Sequence, residues 1–396
     1  MNLTSSGLVY ALVALAVLTV LATLWLWPRL APQRLLPMLG RIGLLTATQL
    51  TVLAVCALAV NNTFGFYSSW TDLLHPGDAP LALAPPVGGT GKSSPPKTDA
   101  LVQPTTEGGL DTVDDLPQGT PEQVGKWESI LVHGKESGLS DQMFIYLPPE
   151  YFNPKYSRER FPVLLSLAGF PGTPLHLMQE MDEPKTIWDL QRTGKMAPTI
   201  VVMARPSVAA PRDTECVDVP GGPQTETWFA KDVPAALRSA YRVSRSAGSW
   251  GVLGYSTGGG CALRLADRFP DTYSAAAGLH ADYKVVPDPF GSSGDLYSGN
   301  PGLAQQYDLT WRLENLPAPK ASLLVVSTRT EDNYAATQQF LAVAQPVATA
   351  HPEFSVESLF LADGGHSFDT WKRELPAALE WISDKLAPVP DREPRG

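Results

Sequence analysis

The chain changes its pattern of apolar and polar positions three times. The run from Gly7 to Trp27, GLVYALVALAVLTVLATLWLW, carries no charge and is apolar on every side rather than along one stripe. As a helix it would extend about 32 Å, enough to cross a hydrocarbon core about 30 Å thick. A second run, Ile42 to Val60, is interrupted only by threonines and Gln49. Residues 28–41 between them carry Arg29, Arg34 and Arg41 and no acid. The positive-inside rule keeps so short and basic a loop in the cytoplasm. The expectation is a two-helix transmembrane hairpin with spans 7–27 and 42–60, forming a membrane anchor over residues 1–74 with everything after Asn61 outside. Trp25, Trp27, Phe64, Phe66, Tyr67 and Trp70 stand where interfacial aromatics belong. A cleaved signal peptide fits less well, because a basic leader is missing and no A-x-A site directly follows the long apolar run.

From 75 to 125 Pro, Gly, Ser and Thr dominate and no apolar period survives, so this stretch reads as a linker. Its GTGKSS resembles a phosphate-binding loop, but Pro86 occupies the position of the first glycine and no strand precedes it. After Lys126 short apolar runs return: WESILVH, QMFIYL, PVLLSLA, PTIVVMA, SWGVLGY, SAAAGL, ASLLVVS and FSVESLFLA. The later ones alternate with helix-like stretches, TWFAKDVPAALRSAY, GGCALRLADRF, NYAATQQFLAVA and FDTWKRELPAALEWISDKL. That alternation predicts one α/β domain over 126–390, a mostly parallel sheet with helices on both faces.

Composition agrees with a chain that partly avoids water. Charged residues make up 18%, against about 25% in ordinary globular domains. The net charge is −10 and only Arg29, Arg34, Arg41 and Asp72 precede residue 76, so the remaining 27 basic and 39 acidic residues leave −12. An acidic domain of this kind is a poor partner for nucleic acid, whose phosphates need a basic face. Nor does it have an electrostatic route onto an anionic bilayer, which leaves the anchor to hold it there.

The candidate chemistry sits where strands end and helices begin. Gly254-Tyr255-Ser256-Thr257-Gly258 fits G-x-S-x-G, between an apolar strand ending at Tyr255 and an Ala/Leu-rich helix starting near Gly259. Small residues two before and two after the serine allow a turn sharp enough to expose its hydroxyl. A serine needs a base to become a nucleophile. Of the histidines after the linker, His133, His176, His280, His351 and His366, only His366 follows the last strand, in ADGGHSFDTW, where a loop can hang it over the carboxyl edge. His176 reads as a substrate contact and His280 as a residue lining the site. The acid that orients the base should follow the strand ASLLVVS, giving the order Ser…acid…His. Two adjacent acids occur there, Glu331, which we prefer, and Asp332. Oxyanion donors are expected from the backbone N–H groups of Thr257 and Phe170, with Gly169 as the alternative; Pro171 has none.

Cys216 and Cys261 form a disulfide if the domain is outside the cytoplasm, or else remain two buried thiols. Cys56 falls within the second span. The stretch 281–320 is longer than one helix needs, and its Tyr283, Phe290, Tyr297 and Trp311 suit either a wall over an apolar acyl group or ordinary packing. H-E-x-x-H is absent and the histidines do not cluster in sequence, so neither metal nor cofactor is expected.

Residues from about 127 to 386 resemble the esterase D-like branch of the α/β-hydrolases, which includes the mycolyltransferases of actinobacterial cell envelopes. The likeness rests on LLSLAGFPGT, GYSTGGGCALRLADRFPDTYSAAAGLHADY and GGHSFDTWKRELPAALEWI. A hydrophobic segment and FGFYSSW ahead of the domain resemble the membrane-anchored members. The resemblance implies an α/β-hydrolase fold and a serine acyl-ester mechanism without metal or cofactor. It leaves the acceptor open between water and a sugar hydroxyl. The reading is therefore a membrane-embedded, extracytoplasmic serine esterase or acyltransferase for small-molecule or lipid esters. Mycolyl-type transfer, a peptidase on the same fold and a non-catalytic binding module are the alternatives.

Overall fold

In the computed structural model, residues 6–31, 34–64, 100–210, 212–287 and 291–386 are described. The chain divides into two units, Met1–Pro76 and Gly77–Gly396. The first is a pair of helices, α1 (Ser6–Leu26) and α2 (Leu35–Phe64). Gly7–Leu26 and Leu35–Asn61 are each long and apolar enough to cross a membrane. Large apolar side chains such as Leu24, Trp25, Leu36 and Leu53 are exposed along them. Where the helices touch, Thr19 bonds Thr51 and Thr23 bonds Thr48, each pair at 3.1 Å. Around the connection the guanidinium of Arg29 lies over Trp25 and that of Arg41 over Trp27. The second helix begins at Leu35 rather than Ile42. Pro37 falls in its first turn, where the missing N–H is one that needs no intrahelical partner, so LLPMLGR winds into the helix. Cys56 is a free thiol, exposed on α2.

The second unit is built on one nine-stranded sheet: β1 (Val102–Pro104), β2 (Lys126–His133), β3 (Ser140–Leu147), β4 (Val163–Leu167), β5 (Ile200–Ala204), β6 (Trp250–Tyr255), β7 (Ala275–Leu279), β8 (Ser322–Thr328) and β9 (Ser355–Leu361). Their order across the sheet is β1-β2-β3-β5-β4-β6-β7-β8-β9. β1 to β3 are antiparallel, β3 joins β5 antiparallel, and every pair from β5 to β9 is parallel. This is the α/β-hydrolase-like architecture.

The inner parallel strands are buried at every position, which explains their unbroken apolar sequences. Alternate residues feed two separate cores. Val163, Leu165, Leu167, Ile200 and Val202 point into one, with side chains of α4 (Val233–Ala240), α5 (Thr257–Arg268) and α6 (Tyr334–Ala350). Leu164, Val201 and Met203 point into the other, with α3 (Glu183–Arg192) and α7 (Phe368–Lys385). The alternation puts helices on both faces. β7 is AAAGL for a packing reason: a side chain on Gly278 would meet Leu263 of α5 at 2.9 Å.

Part of the stretch expected as a linker over 75–125 belongs to the folded unit. Residues 75–99 lie outside the described residues, but Val102–Pro104 pair with β2 in the register Val102↔Val132. Leu101 and Val102 pack against the first core, and Thr120 with Gln123 forms a capping box on the short helix Pro121–Val124. Ahead of α4, a wider π-type turn over Trp228–Asp232 precedes Pro234, whose ring would strike the carbonyl four residues back in a regular helix.

Candidate active site

Between β6 and α5 the backbone turns so sharply that Ser256 is forced to φ 56° and ψ −126°. The flanking glycines are the reason the chain can do this. A Cβ on Gly254 would lie 2.3 Å from the Gly258 carbonyl oxygen, and one on Gly258 would lie 2.2 Å from that of Ala168. Strain of this kind costs on the order of 1–3 kcal/mol and persists because the surroundings hold it. The Ser256 N–H donates to the Leu279 carbonyl at 2.8 Å, and its own carbonyl accepts from Gly260 at 3.1 Å.

His366 comes from the loop after β9. Its Nε2 lies 2.8 Å from Ser256 Oγ and its Nδ1 2.9 Å from Glu331 Oε1. Glu331 follows β8 and is buried, while the adjacent Asp332 is exposed to solvent. The acid and base loops are pinned together through Gly364. Its carbonyl accepts from the hydroxyls of Thr328 and Thr330, and its N–H donates back to Thr330 Oγ1. Trp371 of α7 presents its ring edge-on to His366, centroids 4.9 Å apart. Ser256, His366 and Glu331 thus converge at the carboxyl edge of the parallel strands; Asp332 does not join them.

The loop expected to supply an oxyanion donor lies against the nucleophile. A Cβ on Gly169 would fall 3.1 Å from Ser256 Cβ, and Gly172 N–H donates to the Gly169 carbonyl at 2.7 Å. The Phe170–Pro171 peptide is cis. Thr257 opens α5 directly after Ser256, so its N–H belongs to the unpaired first turn of a helix.

His280 does more than line the site. It stands at φ 50° just past β7, buried, with Nδ1 2.6 Å from Glu331 Oε2 and Nε2 3.0 Å from Glu374 Oε1. Glu331 is therefore shared by two imidazoles. Burial alone would raise its carboxyl, but hydrogen bonds from His280 and His366, with their charges, override this and hold it down at about 2. For His280 burial works toward the neutral ring, and the two carboxylates override it, carrying the imidazole up to about 9. Glu374 was not singled out by the sequence. Its signal was its place on α7, in the same buried stripe as Trp371, Leu375 and Ala378, where an acid needs a partner.

The other histidines make contacts of their own. His176 is buried, accepts from Thr173 N–H at 2.9 Å and stacks on Phe368. His133 pairs with Ser140 and His351 with Glu353. In the stretch 281–320, Tyr283 is a core residue rather than part of a wall: it is buried, stacks on Phe340 at 4.4 Å and donates to Thr337 Oγ1. Phe290 lies outside the described residues. Tyr297 packs on Tyr307. Cys216 and Cys261 are joined in a disulfide, which ties the loop after β5 to the nucleophile helix.

His280, Glu331 and His366 also bring their ligand-type atoms within 4.8 Å of one another, close enough to surround a cation. Those atoms are already engaged with each other and with Ser256, so an ion inserted there would have to break these hydrogen bonds.

Comparisons with known proteins bear on the family and the fold. A family model described as putative esterase matches residues 138–382. An uncharacterized protein of Corynebacterium glutamicum is 23% identical over 253 residues, 61% of this chain; the chain spans 57% of that relative's length. Among solved structures, a ferulic acid esterase superposes with a TM-score of 0.55 at 18% identity, over 66% of this chain and 98% of the other. An S-formylglutathione hydrolase from Agrobacterium tumefaciens gives 0.52 at 14% identity, over 68% and 99%. A fluorophosphonate-binding serine hydrolase of Staphylococcus aureus gives 0.51 at 16%, over 65% and 98%. At these identities the superpositions speak for the fold alone.

Proposed function

Because the chain belongs to the Esterase family of putative esterases, we propose that it is a serine esterase or acyltransferase. In this reading Ser256 is the nucleophile, His366 the base and then the acid, and Glu331 the carboxylate that orients the ring. The observation that carries it is the continuous contact from Ser256 Oγ to His366 Nε2 and from His366 Nδ1 to Glu331. A serine at a strained strand-to-helix turn completes the arrangement that acyl transfer needs.

The chemistry follows from the contacts. Ser256 Oγ bonds to the ester carbonyl carbon while its proton passes to His366 Nε2. The carbonyl becomes a tetrahedral oxyanion, held by the N–H groups of Thr257 and Phe170. His366 then gives the same proton to the departing alkoxide as the C–O bond breaks, leaving an acyl-serine. Water or an alcohol repeats the sequence in reverse and releases the acyl group. Glu331 stays ionised throughout and stabilises the imidazolium that forms twice per turnover.

The hairpin α1–α2 acts as the anchor in this proposal, with residues 28–34 on the cytoplasmic side and the domain outside. Support comes from Arg29, Arg34 and Arg41 near the connection and from the disulfide, a bond that persists mainly in oxidising compartments.

A fluorophosphonate probe applied to the full chain in detergent tests the nucleophile. Wild type should label and turn over p-nitrophenyl esters, and Ser256→Ala should do neither. Equal labelling of the variant sinks the assignment. Adding trehalose or another polyol and weighing the products separates hydrolysis from transfer to a sugar hydroxyl.

A further inference from the structure

Among the described residues His280 has a carboxylate on each ring nitrogen while buried, and the acyl-transfer steps above do not use it. Its side chain and that of Glu374 are both 0% exposed, so bulk solvent reaches neither of them. A neutral imidazole has one N–H and one lone pair. Between two carboxylates it would aim that lone pair at an oxygen, and one contact would become repulsive. Both contacts are favourable together only if an extra proton is present. An imidazole is the more basic holder of that proton by about 2 units in water. The contact to Glu331 is also the shorter of the two, 2.6 Å against 3.0 Å, as a charge-assisted bond should be.

We propose that His280 is a positioning residue, an imidazolium held between Glu331 and Glu374 that keeps the Glu331 carboxylate anionic and turned toward His366. This rests on the esterase reading and deepens it. Glu331 offers one oxygen to each histidine, so His280 fixes the carboxylate's rotation and leaves Oε1 for the base. His280 is itself held from the backbone, its N–H donating to the Val326 carbonyl at 2.8 Å. The charged and titratable groups facing it are Glu331 from the turn after β8, Glu374 from α7 and His366 from the loop after β9. Asp282, two residues along and bonded by Asn333, acts on Glu331 and His366 as well. Trp371 closes the remaining side edge-on at 6.2 Å.

The consequence is electrostatic. The His280 and His366 rings are 6.0 Å apart. A positive charge at His280 disfavours a second one at His366, so removing it should let the base stay protonated to higher pH. The acid limb of kcat/KM for a p-nitrophenyl ester should therefore move up in His280→Gln. The Coulomb range for a unit charge at that distance is about 0.5 to 2 pH units between aqueous and protein-like screening.

The decisive measurement is made on the wild-type full chain in detergent with 15N-labelled histidine. At pH 7 both ring nitrogens of His280, assigned by their loss in His280→Gln, should resonate as protonated. A neutral His280 ring, with the proton on Glu374 instead, overturns the proposal. So does a His280→Gln variant that loses activity with an unmoved acid limb, since a merely structural role predicts that result. If His280→Gln does not fold, His280→Asn provides the assignment, and the wild-type resonances decide alone. Absence of fluorophosphonate labelling and ester turnover in the wild type would refute the esterase reading, and with it the positioning role, whatever the ring's charge. A neutral ring in an active enzyme would refute the positioning role only.

Discussion

At positions 331 and 332 the turn after β8 sends one acid inward and the next into solvent. Replacing Glu331 with Gln puts an amide where His366 Nδ1–H needs an oxygen and favours the wrong tautomer. The expected loss in kcat is about 10²- to 10⁴-fold. Asp332→Asn should stay within about twofold, and steady-state ester hydrolysis by the two variants checks the contrast. The motif and the order of strands were enough to reach Ser256, His366 and this pair of acids. They could not choose between adjacent carboxyls, because a tight turn has no period from which to read direction. The pH behaviour follows from the same contacts. Glu331, held down at about 2, contributes stability that is complete above its ordinary value near 4.3 and is lost as pH falls toward 2. His280, carried up to about 9, contributes stability that is complete below about 6.5 and is lost as pH rises through 9. The gap in apparent Tm between wild type and His280→Gln should therefore be widest near pH 6 and narrow by pH 9. Scanning fluorimetry across that range measures it.

Among the elements, the strand-turn-helix around Ser256 tolerates the least change. Gly258→Ala would drive a methyl group into the Ala168 carbonyl. Overpacking of this kind costs about 1–3 kcal/mol where the neighbour can move, and here the neighbour is backbone of β4's end. The variant should melt several degrees lower and label with fluorophosphonate at least tenfold more slowly than wild type. Strands β2 to β9 were legible because each is a compact apolar run with polar or glycine-rich ends. β1 was not, since Val102-Gln103-Pro104 is three residues inside a proline-rich stretch and is defined only by the edge it meets on β2. The first turn of α2 was also hidden, because Pro37 looks like a breaker until its position in that turn is known. Neither element belongs to the candidate site, whose loops follow β4, β6, β7, β8 and β9.

Across the whole chain, the placement of charge and thiols makes a joint prediction. If the hairpin holds the domain outside, protease added to intact spheroplasts should digest the domain. Alkaline carbonate should leave the protein in the membrane fraction. Replacing Arg29, Arg34 and Arg41 with Glu should lower the protease-accessible share. Thiol titration of the denatured, unreduced protein should find one reactive cysteine, Cys56, rather than three. The bridge closes a loop across a sequence separation of 45, worth up to about 4 kcal/mol in the chain-entropy model, so reductant should lower the apparent Tm. That covalent ring encloses Ser256 and leaves Glu331 and His366 outside it. A single nick anywhere between Cys216 and Cys261 would leave one molecule on a non-reducing gel, its severed halves still tied on either side of the nucleophile. A nick anywhere else would cut the polypeptide into two separable pieces.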